Sequence, residues 1–180
     1  LPTPDHITEK LIETAKRPKT NRYSASRGIP GLRRAQVNYY KRRFGVTLDP
    51  DREVIATLGS KEGFANLAQA MTAPGDVILA PNPSYPIHSF GFIMAGATIQ
   101  HVRALSPEEY LSGLGRAVRY SVPKPTAMVL CYPANPTAQV VGLDFYKEAV
   151  AFAKKHELWI LSDLAYTEIY FGDPPPSILQ

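Results

Sequence analysis

VILAPNPSYPIHSFGFIMAGATIQHVR, residues 77–103, decides the fold class of this chain. Residues 77–80 form a short apolar run that predicts a buried strand, residues 85–95 predict a helix, and residues 98–103 predict a second strand. A strand, a helix and a second strand in this order are typical of an α/β protein.

The same alternation continues on both sides of this stretch. Further strands are predicted at residues 54–58, 127–132 and 158–161. Further helices are predicted at residues 3–16, 32–44, 60–71, 107–119 and 144–156. Gly45 is a suitable stop for the second of these helices. Several strands are apolar throughout, which is typical of a sheet covered on both faces. The sequence therefore predicts an α/β fold of three layers (αβα), with a mostly parallel sheet between two layers of helices.

The composition is that of a globular domain, with 44% hydrophobic and 20% charged residues among 180. No apolar run approaches the roughly 20 residues of a membrane helix, and residues 1–19 lack the apolar core of a signal peptide. Cys131 is the single cysteine, which excludes a disulfide within the chain. We therefore expect a cytoplasmic protein with no membrane partner.

The formal charge of +4 raises the question of a nucleic-acid partner. The basic residues cluster within one predicted helix, at Arg33, Arg34, Lys41, Arg42 and Arg43. No array of aromatic residues accompanies them, and such charge is commonly solvated surface. We expect no nucleic acid, because an anionic small ligand or acidic sequence outside these residues accounts for the excess equally well.

The residues that follow each predicted strand are the candidates for chemistry, because ligands of such sheets bind outside the carboxyl ends of the strands. Gly59-Ser60-Lys61-Glu62-Gly63 follows the strand at 54–58. Small residues at the start of a helix leave backbone N–H groups free to bind a phosphate, and Ser60 can add a hydroxyl. Alternatively, Ser60 is simply a helix cap.

Four further side chains follow the other strands. Tyr85 sits in a proline-stiffened loop and either stacks on a flat ligand or packs against the protein. Asn135, between two prolines, either binds a ligand oxygen or forms a turn. Asp163 is either a buried acid that needs a cation or hydrogen-bond donors, or a cap of the helix that follows it. Tyr166, one helical turn later, is either a residue that contacts a ligand or an ordinary packing residue. Together with the phosphate site, these groups suit a phosphorylated pyridine that carries a phenolic oxygen.

The elements and their order resemble the fold-type I pyridoxal-phosphate (PLP) enzymes, and among them the class I/II aminotransferases. The resemblance extends from Asn21 to about Phe171. Its strongest segments are NRYSASRGIPGLR (21–33), YPANPT (132–137) and DLAY (163–166). The first segment is especially similar to the branch that contains bacterial alanine and LL-diaminopimelate aminotransferases.

The resemblance implies a role for each residue around the cofactor ring. Asp163 would pair with the protonated pyridine nitrogen and keep the ring able to accept electrons. Tyr166 and Asn135 would hydrogen-bond the phenolic oxygen, and Tyr85 would stack on the ring face.

The resemblance also implies which residues hold the phosphate. Ser60 and the backbone of Lys61 would bind it within one subunit. Tyr23 would reach the phosphate of the neighbouring subunit, because active sites of this family form in a homodimer. An exposed loop tyrosine is the alternative for Tyr23.

One departure from the family concerns catalysis. The family's Schiff-base lysine lies beyond the tyrosine in a Ser-x-x-Lys context, whereas Ser121-Val122-Pro123-Lys124 precedes the asparagine and aspartate motifs. We therefore expect no catalytic residue in this chain, no transaminase activity from it alone, and weak or no retention of PLP. We interpret the chain as a fragment, with residues 1–45 leading into the large domain and residues 46–180 forming part of it, incomplete at the C-terminus.

The parent protein is then expected to be an aminotransferase that moves an amino group between an amino acid, alanine or glutamate being favoured, and a 2-oxo acid. A C–S lyase or decarboxylase of the same fold needs the same residues. A non-catalytic binding module, as in some transcriptional regulators, is a further alternative. A Rossmann dehydrogenase lacks support because its glycine fingerprint is missing.

Overall fold

Four parallel strands form the centre of the protein in the computed structural model, which describes residues 2–180. They are β1 (Val77–Asn82), β2 (Thr98–Arg103), β3 (Pro125–Cys131) and β4 (Trp159–Asp163). The order across the sheet is β2-β1-β3-β4, and all three pairings are parallel. Because parallel neighbours need a long crossover connection, helices link the strands.

Within residues 2–180 the helices are α1 (Asp5–Ala15), α2 (Pro30–Phe44), α3 (Ser60–Met71), α4 (Ile87–Met94), α5 (Pro107–Tyr120) and α6 (Leu143–His156). Helices α3 and α4 cover one face of the sheet, and α5 and α6 cover the other. The prediction of three αβα layers is therefore confirmed. None of these helices combines the length and the apolar character that crossing a membrane requires.

The two faces of the sheet bury separate apolar clusters because neighbouring strand residues point in opposite directions. Leu79 and Leu130 pack with Tyr110 of α5 and Tyr146 of α6. Ile78, Ala127 and Val129 pack with α3 and α4 on the opposite face. Each fully buried leucine or isoleucine stabilises the fold by about 1.5–3 kcal/mol. These two clusters hold the carboxyl ends of the strands at fixed positions.

Local signals in the sequence explain where the helices begin and end. Ser106 caps α5, because its hydroxyl accepts a hydrogen bond from the Glu109 N–H at 3.1 Å. Gly45 ends α2 in the left-handed conformation, with φ of 72°, as the sequence predicts. Apart from residues 54–58, each predicted helix and strand is present, with ends displaced by no more than two residues.

The predicted strand at residues 54–58 is wrong. The Ala56 N–H donates to the Arg27 carbonyl at 3.1 Å, and the Leu58 N–H donates to a Glu62 carboxylate oxygen at 3.0 Å. A strand needs a neighbouring strand to pair with, and no strand of residues 2–180 lies alongside this segment. The segment is therefore an extended connection whose backbone is bonded to loops.

The expectation of solvated surface charge is also wrong for Arg33, which is buried. Its guanidinium donates to the carbonyls of Gly28 (2.6 Å) and Pro50 (2.8 Å) and pairs with Asp51 (2.6 Å). A planar guanidinium can satisfy several acceptors at once, which makes arginine suited to such a position. Part of the positive charge of α2 therefore anchors the helix to the loop that follows it.

Candidate functional site

The carboxyl edge of the sheet carries four of the predicted side chains. Strand β1 leads into the loop with Tyr85, β3 leads to Asn135, and β4 ends at Asp163, just before Tyr166. Cys131 and Asp163 lie opposite each other in the register of β3 and β4. The loops that follow these two strands are therefore neighbours in space.

Asn135 and Tyr166 are joined by a hydrogen bond. The Asn135 amide nitrogen donates to the Tyr166 hydroxyl at 2.8 Å, and both side chains are half-buried. Because the hydroxyl oxygen accepts here, its own proton remains available for another acceptor, and the amide has a second N–H. The pair can therefore present two donors to one oxygen atom of a ligand.

Asp163 has a partner for each of its carboxylate oxygens. Oδ2 lies 2.9 Å from Nε2 of His88, and Oδ1 accepts from the Ala165 N–H at 3.1 Å. The aspartate side chain is 10% exposed and His88 is fully buried, so the carboxylate depends on these bonds for its stability. A turn rather than a helix follows Asp163, so the alternative of a helix cap is not realised.

His88 is a residue of this site that the sequence reasoning missed. It is the second residue of α4 and packs against Phe64, with ring centroids 5.2 Å apart, and edge-on to Tyr85 at 6.1 Å. A histidine among apolar neighbours needs a polar partner once it is buried. That requirement was the available signal in the sequence Pro86-Ile87-His88-Ser89-Phe90.

Ser60 does not cap α3, so the alternative of a simple helix cap is wrong. Gly59 occupies the cap position with φ of 89°, and Ser60 is the first helical residue, with no capping bond from its side chain. A left-handed φ at the cap suits glycine, which has no Cβ to clash. The exposed Ser60 hydroxyl and the N–H groups of the first turn consequently face solvent together.

Lys61 brings the start of α3 and the loop of Tyr85 together. Its Nζ lies 5.7 Å from the centroid of the Tyr85 ring, within the range of a cation–π contact. Tyr85 is half-buried and makes an edge contact with the His88 ring. The start of α3, which is the candidate phosphate site, therefore lies next to the aromatic ring of Tyr85.

Tyr23 stands apart from these residues. It is fully exposed in the loop before α2 and makes no side-chain hydrogen bond among residues 2–180. The structure therefore brings together Lys61 and Tyr85, Asn135 and Tyr166, and Asp163 with His88, while Tyr23 reaches none of them within one chain.

Cys131 is a further polar group at this edge. Its thiol is buried and lies 3.8 Å from the Pro133 carbonyl oxygen. Burial raises the pKa of the thiol to about 11, with an additional contribution from the negative charge of Asp163. The thiol is therefore neutral and unreactive near neutral pH while no cation lies beside it.

Residues 1–179 match the family model described as "Aminotransferase class I and II". Among curated relatives, AatC of Rhizobium meliloti (strain 1021) is 64% identical over the whole chain. "Glutamate-pyruvate aminotransferase AlaC" of Escherichia coli (strain K12) is 49% identical over 99% of it. "LL-diaminopimelate aminotransferase" of Desulforudis audaxviator is 40% identical over the whole chain.

Solved structures show the same similarity. Substrate-bound BacF of Bacillus subtilis superposes with a TM-score of 0.92 and 39% identity over 99% of this chain. The chain covers 46% of that structure, and it covers 45%, 43% and 46% of the three curated relatives in the order given above. It thus spans slightly less than half the length of these proteins.

Proposed function

Because this chain belongs to the class I and II aminotransferases, we propose that its carboxyl sheet edge is the cofactor site of an enzyme that moves an amino group between an amino acid and a 2-oxo acid. Members of this family use pyridoxal 5'-phosphate. The observation that carries the proposal is the 2.8 Å hydrogen bond that brings Asn135 and Tyr166 together beside Asp163. An amide and a phenol beside a buried carboxylate fit the donors and acceptors of this cofactor.

Asn135 and Tyr166 hold the phenolic oxygen of the cofactor. The second amide N–H and the hydroxyl proton each donate to that oxygen, and the bond between the two residues fixes both donors in advance. Donors that are already oriented lose little conformational freedom when the ligand binds. Removing either residue therefore weakens binding and leaves its partner less ordered.

Asp163 pairs with the ring nitrogen and keeps it protonated, and the protonated ring supplies the electron sink for chemistry at the α-carbon of the substrate. His88 acts through Asp163. Its hydrogen bond at 2.9 Å orients the carboxylate, and the imidazole is fully buried. The low dielectric around the pair strengthens the attraction between the carboxylate and a cationic ring.

Tyr85 covers one face of the ring, and the start of α3 binds the phosphate. The Ser60 hydroxyl and the N–H groups of the first helical turn donate to phosphate oxygens, where the helix dipole adds to the attraction. The backbone of Lys61 contributes to the same site. Tyr23 reaches the phosphate held by a second copy of the chain, so we propose a homodimer in the full-length protein.

The relatives favour alanine and glutamate, with their 2-oxo acids, as substrates. The name of the E. coli relative specifies glutamate and pyruvate, and this relative is more similar in sequence than the LL-diaminopimelate aminotransferase cited above. For residues 1–180 alone we expect no turnover, because no Ser-x-x-Lys follows Tyr166 within them. A free, buried cysteine fits our proposal of a reducing, cytoplasmic setting.

The test uses the protein at the full length of its relatives, supplied with alanine and 2-oxoglutarate. We expect pyruvate and glutamate to form in equal amounts. Release of ammonia or carbon dioxide without glutamate would replace the proposal with a lyase or a decarboxylase. Stoichiometric PLP binding with no turnover of any amino acid would indicate a non-catalytic binding module.

A matched pair of variants ties the activity to this site. Tyr166→Phe removes the hydroxyl that binds the phenolic oxygen and should lower both PLP affinity and turnover by about tenfold or more. Tyr120→Phe removes an exposed hydroxyl on α5, far from this edge, and should leave both unchanged. Equal behaviour of the two variants would reject the site.

A further inference from the structure

Three side chains with metal-binding atoms converge behind the proposed cofactor site. One ligand atom each of His88, Cys131 and Asp163 lies within 4.8 Å of the other two. The residues come from α4, β3 and β4, so the fold brings them together, and none is near another in sequence. Both His88 and Cys131 are buried, and the Asp163 side chain is 10% exposed.

We propose that His88, Cys131 and Asp163 bind one divalent cation of the zinc type. Imidazole nitrogen, thiolate sulfur and carboxylate oxygen are the three ligand types that zinc takes in proteins, and a fourth position remains for water. A thiolate selects against magnesium and calcium, which prefer oxygen ligands. The ligand set therefore specifies a borderline or soft metal.

The charges of such a complex cancel. A thiolate and a carboxylate carry two negative charges, a divalent cation carries two positive charges, and the imidazole is neutral. A buried ion costs several kcal/mol when it is uncompensated, and a neutral complex avoids that cost. This burial therefore favours the complete metal complex over any partly ionised form of the three side chains.

The distances between the three ligand atoms would need to change slightly for a metal ion to bind. Ligand distances of about 2.0–2.3 Å in a tetrahedral site place the ligand atoms about 3.3–3.6 Å from one another. His88 Nε2 and Asp163 Oδ2 are 2.9 Å apart and would separate slightly. The Cys131 thiol would move towards them and give up its 3.8 Å contact with the Pro133 carbonyl.

Occupation of this site has a consequence that rests on the proposed function. A cation bound to the Asp163 carboxylate competes with the cationic ring nitrogen of PLP for the same group. Zinc would then lower PLP affinity by occupying a position behind the cofactor, without touching the phosphate site at Ser60. The binding of the cation itself does not depend on the proposed function.

The test titrates the reduced 180-residue protein with Co²⁺, which replaces zinc and reports its ligands by absorbance. We expect a thiolate-to-cobalt charge-transfer band that saturates at a single equivalent and disappears when Zn²⁺ is added. Since Cys131 is the single cysteine, the band can come from no other residue. A protein that is folded by circular dichroism and gives no such band would overturn the proposal.

Variants assign the other two ligands. Cys131→Ser should abolish the band, and His88→Gln and Asp163→Asn should each weaken Co²⁺ binding by about tenfold or more. His101→Gln changes an exposed histidine on β2 and should have no effect. If His88→Gln fails to fold, Asp163→Asn alone decides, and unchanged affinity in that variant rejects the site.

The competition is measured separately on the full-length protein. Zn²⁺ should reduce PLP binding in the wild type and not in Cys131→Ser. A cobalt band in the 180-residue protein combined with PLP binding that ignores Zn²⁺ supports the metal site and overturns the competition. Failure of the full-length protein to bind PLP at all counts against the proposed function and leaves the cobalt result as it stands.

Discussion

Nε2 of His88 lies 2.9 Å from Oδ2 of Asp163, although 75 residues separate them in the chain. The contact joins the start of α4 to the end of β4, two elements that do not follow each other in sequence. It provides the Asp163 carboxylate, whose side chain is 10% exposed, with a polar partner, as a buried carboxylate requires. The hydrogen bond between His88 and Asp163 therefore matters both for the stability of the fold and for the proposed cofactor site.

Replacing His88 with leucine should destabilise the protein. The apolar side chain leaves Asp163 Oδ2 without its partner, and an unsatisfied buried acceptor costs about 1–3 kcal/mol. Urea unfolding, followed by circular dichroism, measures the loss. His6→Leu on the exposed helix α1 is the control, and a similar midpoint for both variants would show that the buried bond contributes nothing.

Asn135 and Tyr166 should be energetically coupled. The single variants Asn135→Ala and Tyr166→Phe and the double variant form a thermodynamic cycle, and we expect a coupling of about 0.5–1.5 kcal/mol from the 2.8 Å hydrogen bond. Urea unfolding of the four proteins gives the value. The same cycle with Tyr120→Phe, an exposed residue of α5, should give no coupling.

Replacing each of two glycines of α5 with alanine should change the stability of the protein in opposite directions. A Cβ at Gly115 meets nothing within 4 Å, so Gly115→Ala should stabilise the helix by about 0.5–1 kcal/mol. A Cβ at Gly113 would lie 2.7 Å from Cγ1 of the buried Val102, so Gly113→Ala should destabilise by about 1–2 kcal/mol net. Thermal unfolding compares them, and Val102→Ala should reverse the sign at Gly113.

Tyr39 should stabilise the protein in a pH-dependent manner. Burial, and then its hydrogen bond to Glu168, raises the pKa of Tyr39 from 10.0 to about 12. A pKa that is higher in the folded state gives stability that is fully present below pH 10 and is lost as the pH rises through about 12. The difference in urea midpoint between wild type and Tyr39→Phe should therefore shrink between pH of about 8 and about 11.5. Tyr120→Phe serves as the control, and a difference that grows with pH would contradict the assignment.

The local part of the fold could be predicted from the sequence because local signals determine it. Strand β2 was predicted with both ends correct. Residues 54–58 carry the same β-favouring residues, yet a strand also needs a partner, and no sequence pattern states which segment will lie beside it. The error is therefore one of pairing rather than of propensity.

The same distinction between local signals and long-range packing applies to the candidate site. Tyr85, Asn135, Asp163 and Tyr166 could be placed at one edge, because each follows a strand and parallel strands end together. Neither the hydrogen bond from His88 to Asp163 nor the approach of Cys131 could be predicted, since both depend on side-chain packing between distant elements. Ser60 shows the limit at a helix end, where a shift of one residue made Gly59 the cap.

The strand order β2-β1-β3-β4 also fits the order in which the chain is synthesised, because β1 pairs with the strand that directly follows it. Strands β1 and β2 are joined through α4 alone, so their contact closes a short loop and can form early. Strand β3 must wait until α5 has been made, and β4 until α6 has followed. The stretch at residues 77–103 is thus placed to act as the nucleus onto which the growing chain adds β3 and then β4 as it leaves the ribosome.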